Sequence, residues 1–76
     1  MSSIVTQELL DDIIRLYSIL NAKDFDRIDG KSNNFTIYIF KYQDYCDIRL
    51  YYLKSYFVTY RVYKAKDIKL LKKYEV

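Results

Sequence analysis

The chain has 76 residues, a net charge of +3, 51% hydrophobic residues and 18% aromatic residues. That length fits one small domain, near the lower limit for a core that is stable without staples, and the apolar fraction argues against disorder. With no His and one Cys, internal disulfides, His-based catalysis and zinc sites built on nitrogen or several sulfurs are excluded, and one Gly excludes a glycine-rich phosphate loop.

Residues 1–3 are expected to fray. A helix is expected from about Val5 to Asn21, capped by Ser3 or Thr6, with Glu8, Asp11 and Asp12 near its positive end. Leu9, Leu10, Ile13, Ile14, Leu16, Tyr17 and Leu20 share one arc of a 3.6-residue wheel, and Ile19 falls outside it on the exposed side. Asp11 and Arg15 stand at i,i+4 and predict a weak ion pair.

Residues 22–33 form the longest polar stretch and contain the single glycine, Gly30. They read as a loop in which Asp24 caps a short helical turn, with Phe25 and Ile28 pinning it to the core. Asp24, Asp26 and Asp29 before Gly30 resemble a calcium loop. The spacing is one residue too long, and Phe35 stands where the closing acid should be, so no metal is expected.

The span from Phe35 to Tyr63 holds eight of the ten tyrosines and reads as three antiparallel strands, at about 35–42, 45–53 and 57–63. A two-residue turn at Gln43-Asp44 sets Ile39 opposite Ile48, Ile37 opposite Leu50 and Phe35 opposite Tyr52. For the second hairpin, a three-residue loop of Lys54, Ser55 and Tyr56 keeps Arg61 off the aliphatic face. It pairs Leu50 with Tyr60, Ile48 with Val62 and Tyr52 with Val58. Cys46 reads as a small core residue. A short basic helix at about 67–74 follows, capped by Asp67 and packed through Ile68, Leu70, Leu71 and Tyr74.

The expected fold class is therefore α+β: an N-terminal amphipathic helix packed on a three-stranded antiparallel β-meander, with a short C-terminal helix. One sheet face is aliphatic. The other gathers Tyr38, Phe40, Tyr42, Tyr45, Asp47, Arg49, Tyr51, Thr59, Arg61 and Tyr63. That is a larger aromatic patch than a monomer usually leaves bare, so something should cover it. The C-terminal segment or the 22–33 loop would do so if the protein covers itself, leaving Arg49 and Arg61 only to pair with Asp47.

The leading expectation is a non-catalytic binding protein of inhibitor or adaptor type. It would act on a protein partner through Tyr38, Phe40, Tyr42, Tyr45, Arg49, Tyr51, Arg61 and Tyr63, since Tyr and Arg dominate interface hot spots. A homodimer through the same face or an edge strand is expected alongside it. The alternative is a single-stranded nucleic-acid binder in which Tyr38, Tyr51 and Tyr63 stack bases and Arg49 and Arg61 hold phosphates.

Two resemblances bear on these readings. The order helix, three strands, helix is similar to that of some small phage-encoded anti-defence proteins, in element order and size rather than in sequence. It implies an inhibitor acting in a host cytoplasm, although several of those proteins are acidic DNA mimics and this chain is basic. Asp47-Ile48-Arg49 with Tyr60-Arg61-Val62-Tyr63 resembles the paired arginine-bearing strands of small bacterial ribonuclease toxins, which implies RNA cleavage. The helix and strand lengths do not match those toxins clearly, and no membership follows.

Lys, Ile, Tyr, Asn, Phe and Met make up 36 of the 76 residues, and with no Pro, His or Trp this is the bias of an AT-rich genome. No signal peptide or membrane-spanning stretch is visible, so the cytoplasm is the expected location and Asn34-Phe35-Thr36 reads as a chance sequon. No cofactor, membrane or small-molecule substrate is expected.

Overall fold

A computed structural model describes residues 5–73. The chain runs from helix α1 (Gln7–Ala22) through strands β1 (Arg27–Ser32), β2 (Phe35–Lys41), β3 (Cys46–Tyr52) and β4 (Ser55–Val62) to a 3-10 helix (Ala65–Lys73). The four strands form an antiparallel meander in the order β1-β2-β3-β4. The expected α+β architecture is present, with one strand more than expected. The expectations for residues 1–3 and for Tyr74 fall outside the described residues.

Helix α1 starts where a cap is available. Thr6 is in extended conformation, and its hydroxyl accepts a hydrogen bond from the Leu9 amide at 3.2 Å. Leu9, Leu10, Ile13, Leu16 and Leu20 are buried, while Ile14 and Tyr17 pack against the core from its edge. Ile19 is half-buried rather than exposed. Arg15 reaches Asp12 at i,i+3 (3.6 Å) instead of Asp11, whose carboxylate accepts from the Gln7 amide group at 3.0 Å. Both contacts are exposed and contribute little.

The 22–33 segment is a strand, not a loop with a helical turn. Asp24 adopts a left-handed backbone (φ 53°), and its carboxylate pairs with the Lys41 ammonium at 3.0 Å. Phe25, expected to anchor the segment, is exposed. From Arg27 the chain pairs with β2 along its length, from Arg27 opposite Phe40 to Ser32 opposite Phe35. Burial alternates, with Ile28, Gly30 and Ser32 turned inward and Arg27, Asp29 and Lys31 outward. The hydrophobic signal of this strand is faint because two of its three inward positions are Gly and Ser. The cause lies in the helix. A Cβ on Gly30 would stand 2.8 Å from Leu16 Cδ1 and 3.2 Å from Cδ2, so the Leu16 side chain of α1 fills the space that a side chain at 30 would take. Ser32 is buried, and its hydroxyl has no hydrogen-bond partner among the described residues.

The β2–β3 hairpin has the expected register, including Ile39 opposite Ile48 and Ile37 opposite Leu50. The β3–β4 hairpin does not. Leu53 and Lys54 form a two-residue turn with Tyr52 opposite Ser55, and a bulge between Leu50 and Tyr51 absorbs Phe57 as the extra residue. Leu50 then faces Val58, Ile48 faces Tyr60 and Cys46 faces Val62, two residues away from the expected pairing. The bulge restores the same inward set that a three-residue loop would have given. It also sets Arg61 opposite Asp47 and Arg49 opposite Thr59. In the expected register the two arginines would have faced each other, and like charges directly opposite destabilise a sheet.

Helix α1 packs over β1 and β2, and the 3-10 helix packs between α1 and β4. Val5 and the α1 leucines join Phe35, Ile37, Ile39, Ile48, Leu50, Val62, Ile68 and Leu71 in one core. Asp67 lies in the first turn of the 3-10 helix rather than before it. Its carboxylate reaches back to accept from the Tyr63 and Lys64 amides at 3.0 and 3.2 Å, as the third-position acid of a capping box does. Leu70, expected to pack, is exposed.

Cys46 is buried at the start of β3, as expected. Burial pushes its thiol pKa up, against a smaller lowering by Lys41 and with a further small rise from Asp47. The neutral thiol is the inert form. Iodoacetamide at neutral pH should therefore modify Cys46 slowly in the folded protein and rapidly in urea, as followed by mass spectrometry; fast native labelling would contradict its burial. The raised value also fixes a sign. The thiol's contribution to stability is complete below the ordinary thiol range and is lost as pH rises through the folded-state value, so Cys46→Ala should remove that alkaline loss.

Candidate binding face

Strand alternation places Tyr38, Phe40, Asp47, Arg49, Tyr51, Thr59 and Arg61 on the sheet face opposite the core. Tyr42, Tyr45 and Tyr63 extend this face past the strand ends. Both helices pack on the core side. The 22–33 segment adds a strand to the edge, and the C-terminal segment inserts Ile68 and Leu71 into the core. Neither segment covers the aromatic face, so the self-covering arrangement is not adopted among the described residues.

The eight residues singled out from the sequence divide into two groups. One is Tyr38, Phe40, Tyr51 and Arg49, joined by two residues not anticipated, Tyr56 and Arg27. Tyr38 meets Tyr51 edge to face (5.7 Å, 87°), Tyr51 meets Tyr56 the same way (5.8 Å, 75°), and Tyr38 stacks beside Phe40 at 6.4 Å. The guanidinium of Arg27 lies 5.3 Å from the Tyr38 ring centre and 5.4 Å from that of Phe40, while Arg49 lies 5.2 Å from Phe40. Phe40 thus takes a cation from the strand on each side of it.

The other group is Tyr42, Tyr45, Tyr63 and Arg61. Tyr45 packs against Tyr42 at 5.1 Å and Tyr63 at 6.1 Å, and the Arg61 guanidinium sits 3.9 Å from the Tyr45 ring centre. Arg61 also donates from Nε to Asp47 Oδ1 at 3.1 Å and from Nη2 to Oδ2 at 3.5 Å. The hydrogen bond to Asp47 is the main reason its pKa is raised further.

The two arginines, equivalent in the sequence reading, are therefore different. Arg61 is held in a fork by a carboxylate. Arg49 is half-buried and has no carboxylate partner among the described residues. A shallow, open concavity of 430 Å³ lies over the first group. Arg27, Tyr38, Phe40, Arg49, Tyr51 and Lys54 line it. Leu53, also in its lining, is 59% exposed and held in a left-handed backbone (φ 59°), a conformation that costs a non-glycine residue roughly 1 kcal/mol or more.

Arg27 and Tyr56 escape the sequence reading for a common reason: it places both in loops, whereas they lie on β1 and β4. The alternation of Arg27, Asp29 and Lys31 with Ile28 and Gly30 was the available signal for β1, and Asn33-Asn34 was the turn that follows it. Asn33 adopts the left-handed conformation that asparagine tolerates best among ordinary residues (φ 53°).

Among the described residues, no group of three or more Cys, Asp or Glu side chains is placed to hold a metal ion, and no helix is long and apolar enough to cross a membrane. Compared with protein families, with curated proteins and with solved structures, the chain matches none of them.

Proposed function

We propose that this chain is a non-catalytic binding protein that engages a protein partner through the outer face of its sheet, as an inhibitor or adaptor does. The observation carrying this reading is the packing of the outer-face aromatics. They are ordered by one another and by arginines, and no segment of the described chain covers them. Rings and guanidiniums already fixed in place lose little freedom on binding, and Tyr and Arg are the side chains that anchor interfaces.

The same packing weighs against base stacking as the primary role. Tyr38, one of the three rings expected to stack bases, already carries the Arg27 guanidinium, as Phe40 and Tyr45 carry theirs, and a nucleobase would have to displace them. Asp47 also neighbours Arg49 along β3 and faces Arg61 on β4, where a phosphate-tracking path would need to be continuously cationic.

The test is affinity capture with the wild-type chain and with Tyr51→Glu, from nuclease-treated extract of the cells that carry the protein. Tyr51 is half-buried on the outer face and lies outside the core, so the variant should keep its fold by circular dichroism. A defined partner should be retained by the wild type and reduced at least about tenfold by the variant, the usual scale for a hot-spot residue. Equal retention by both proteins sinks the reading. So does retention seen only from untreated extract, or salt-sensitive binding of labelled single-stranded DNA or RNA that Arg49→Ala abolishes.

A further inference from the structure

We propose that the concavity across β1, β2 and β3 is a carboxylate-recognition site, and that it takes a Glu or Asp side chain from an acidic segment of the protein partner. The inference rests on the protein-binding reading above and names the chemistry of that partner. Three cations, Arg27, Arg49 and Lys54, line the concavity, and no acid does. The acids elsewhere on this face are already committed. Asp47 is held by Arg61, and Asp29 faces Arg27 at 3.6 Å with both side chains more than half exposed. The second of these is a surface pair of little worth that an incoming carboxylate can replace.

Arg49 is the centre of the site. Its guanidinium rests near the Phe40 ring, which fixes its position without using its N–H donors. A planar fork held by an aromatic ring presents parallel donors to a two-oxygen acceptor, and carboxylate matches that spacing. Because Arg49 is half-buried, an ion pair formed there is less screened than one at an open surface. Tyr38 and Tyr51, in edge-to-face contact at 5.7 Å, supply an apolar wall for the methylenes of the acidic side chain and for an apolar neighbour. Lys54 and Arg27, also in the lining, provide charge that attracts an acidic segment from a distance.

The test is an NMR titration of the ¹⁵N-labelled full chain with three probes. These are a capped peptide alternating glutamate and alanine, its glutamine–alanine counterpart, and an oligothymidylate of the same net charge as the first peptide. The glutamate peptide should shift the Arg49 side-chain signal and the amides of Tyr38 and Tyr51. The glutamine peptide should leave them in place. Arg49→Gln should weaken the glutamate peptide by about tenfold, consistent with loss of one charge-assisted bidentate contact, with an unchanged melting temperature. If Arg49→Gln does not fold, Lys54→Gln with Arg27→Gln provides the second comparison, and weaker binding of the glutamate peptide is again expected.

Absence of shifts at about 5 mM glutamate peptide, a concentration that detects even millimolar affinity, overturns the proposal. Equal shifts with the glutamine peptide overturn it, and so does tighter binding of the oligothymidylate, which would point to phosphate. The two readings fail separately. A partner lost by Tyr51→Glu but kept by Arg49→Gln leaves the binding face standing without the carboxylate site. A partner kept by both removes the face itself.

Discussion

Gly30→Val should destabilise the protein by about 2–3 kcal/mol, the scale of overpacking a closed core. For a chain of this size that corresponds to a fall of roughly 10–20 °C in Tm. Gly30 has no left-handed backbone, so conformational freedom is not what the position requires. The requirement is space. Its missing Cβ lies within 2.8 Å of Leu16 Cδ1, and Leu16 is itself buried in the core. A branched side chain at 30 must push α1 off the edge strand or force Leu16 into a poor rotamer.

A second substitution makes the test specific. Leu16→Ala alone should cost about 2–4 kcal/mol through the cavity it leaves. Combined with Gly30→Val, the valine occupies part of that cavity. The double variant should then be less destabilised than the sum of the two by at least about 1 kcal/mol, the coupling expected for residues in contact. Urea unfolding followed by far-UV circular dichroism measures all four proteins. Strict additivity, or a Gly30→Val variant as stable as wild type, would show that the Leu16 side chain yields and that space is not the constraint at position 30.

Leu71→Ala should cost about 2–4 kcal/mol, whereas Leu70→Ala, one residue away, should cost less than about 0.5 kcal/mol. Leu71 and Ile68 are fully buried, and Leu70 is 53% exposed. The 3-10 helix is held to the domain through those two side chains and through the backward cap of Asp67 on the Tyr63 and Lys64 amides. Without Leu71 the segment keeps one buried anchor. The loss therefore shows either as global destabilisation in a urea titration or as local release of the segment. Hydrogen exchange at residues 67–73 separates the two, because local release accelerates exchange there and leaves β2 and β3 protected. A larger effect at Leu70 than at Leu71 would place the wrong face of this helix against the core.

The parts of the fold legible from residues alone share one property: they carry large apolar side chains at a regular period. The α1 arc from Leu9 to Leu20 is buried as its spacing requires. Phe35, Ile37 and Ile39 alternate against Ile48 and Leu50, and a slip of one residue would expose all of them, so the Gln43-Asp44 turn and the β2–β3 register follow. The candidate face was legible on the same logic, because the residues between those inward positions are Tyr38, Phe40, Asp47, Arg49 and Tyr51.

Where small or charged residues hold the structural positions, the sequence pattern is silent. β1 turns Ile28, Gly30 and Ser32 inward, and Gly30 is there because the helix needs the room, a demand that residues 22–33 do not reveal by themselves. For β4, parity was legible and partners were not. A loop of three and a bulge at Phe57 bury the same set, and the choice falls to pairs such as Asp47 with Arg61. That choice separates the two arginines, closing Arg61 onto a carboxylate and leaving Arg49 near Phe40 in the lining of the concavity. Hydrophobic periodicity thus determined the helix, the central hairpin and the aromatic composition of the outer face, because burial of large side chains is encoded locally. The tertiary structure alone decided the edge strand, the last register and which arginine is available, because each depends on a contact between residues distant in the chain.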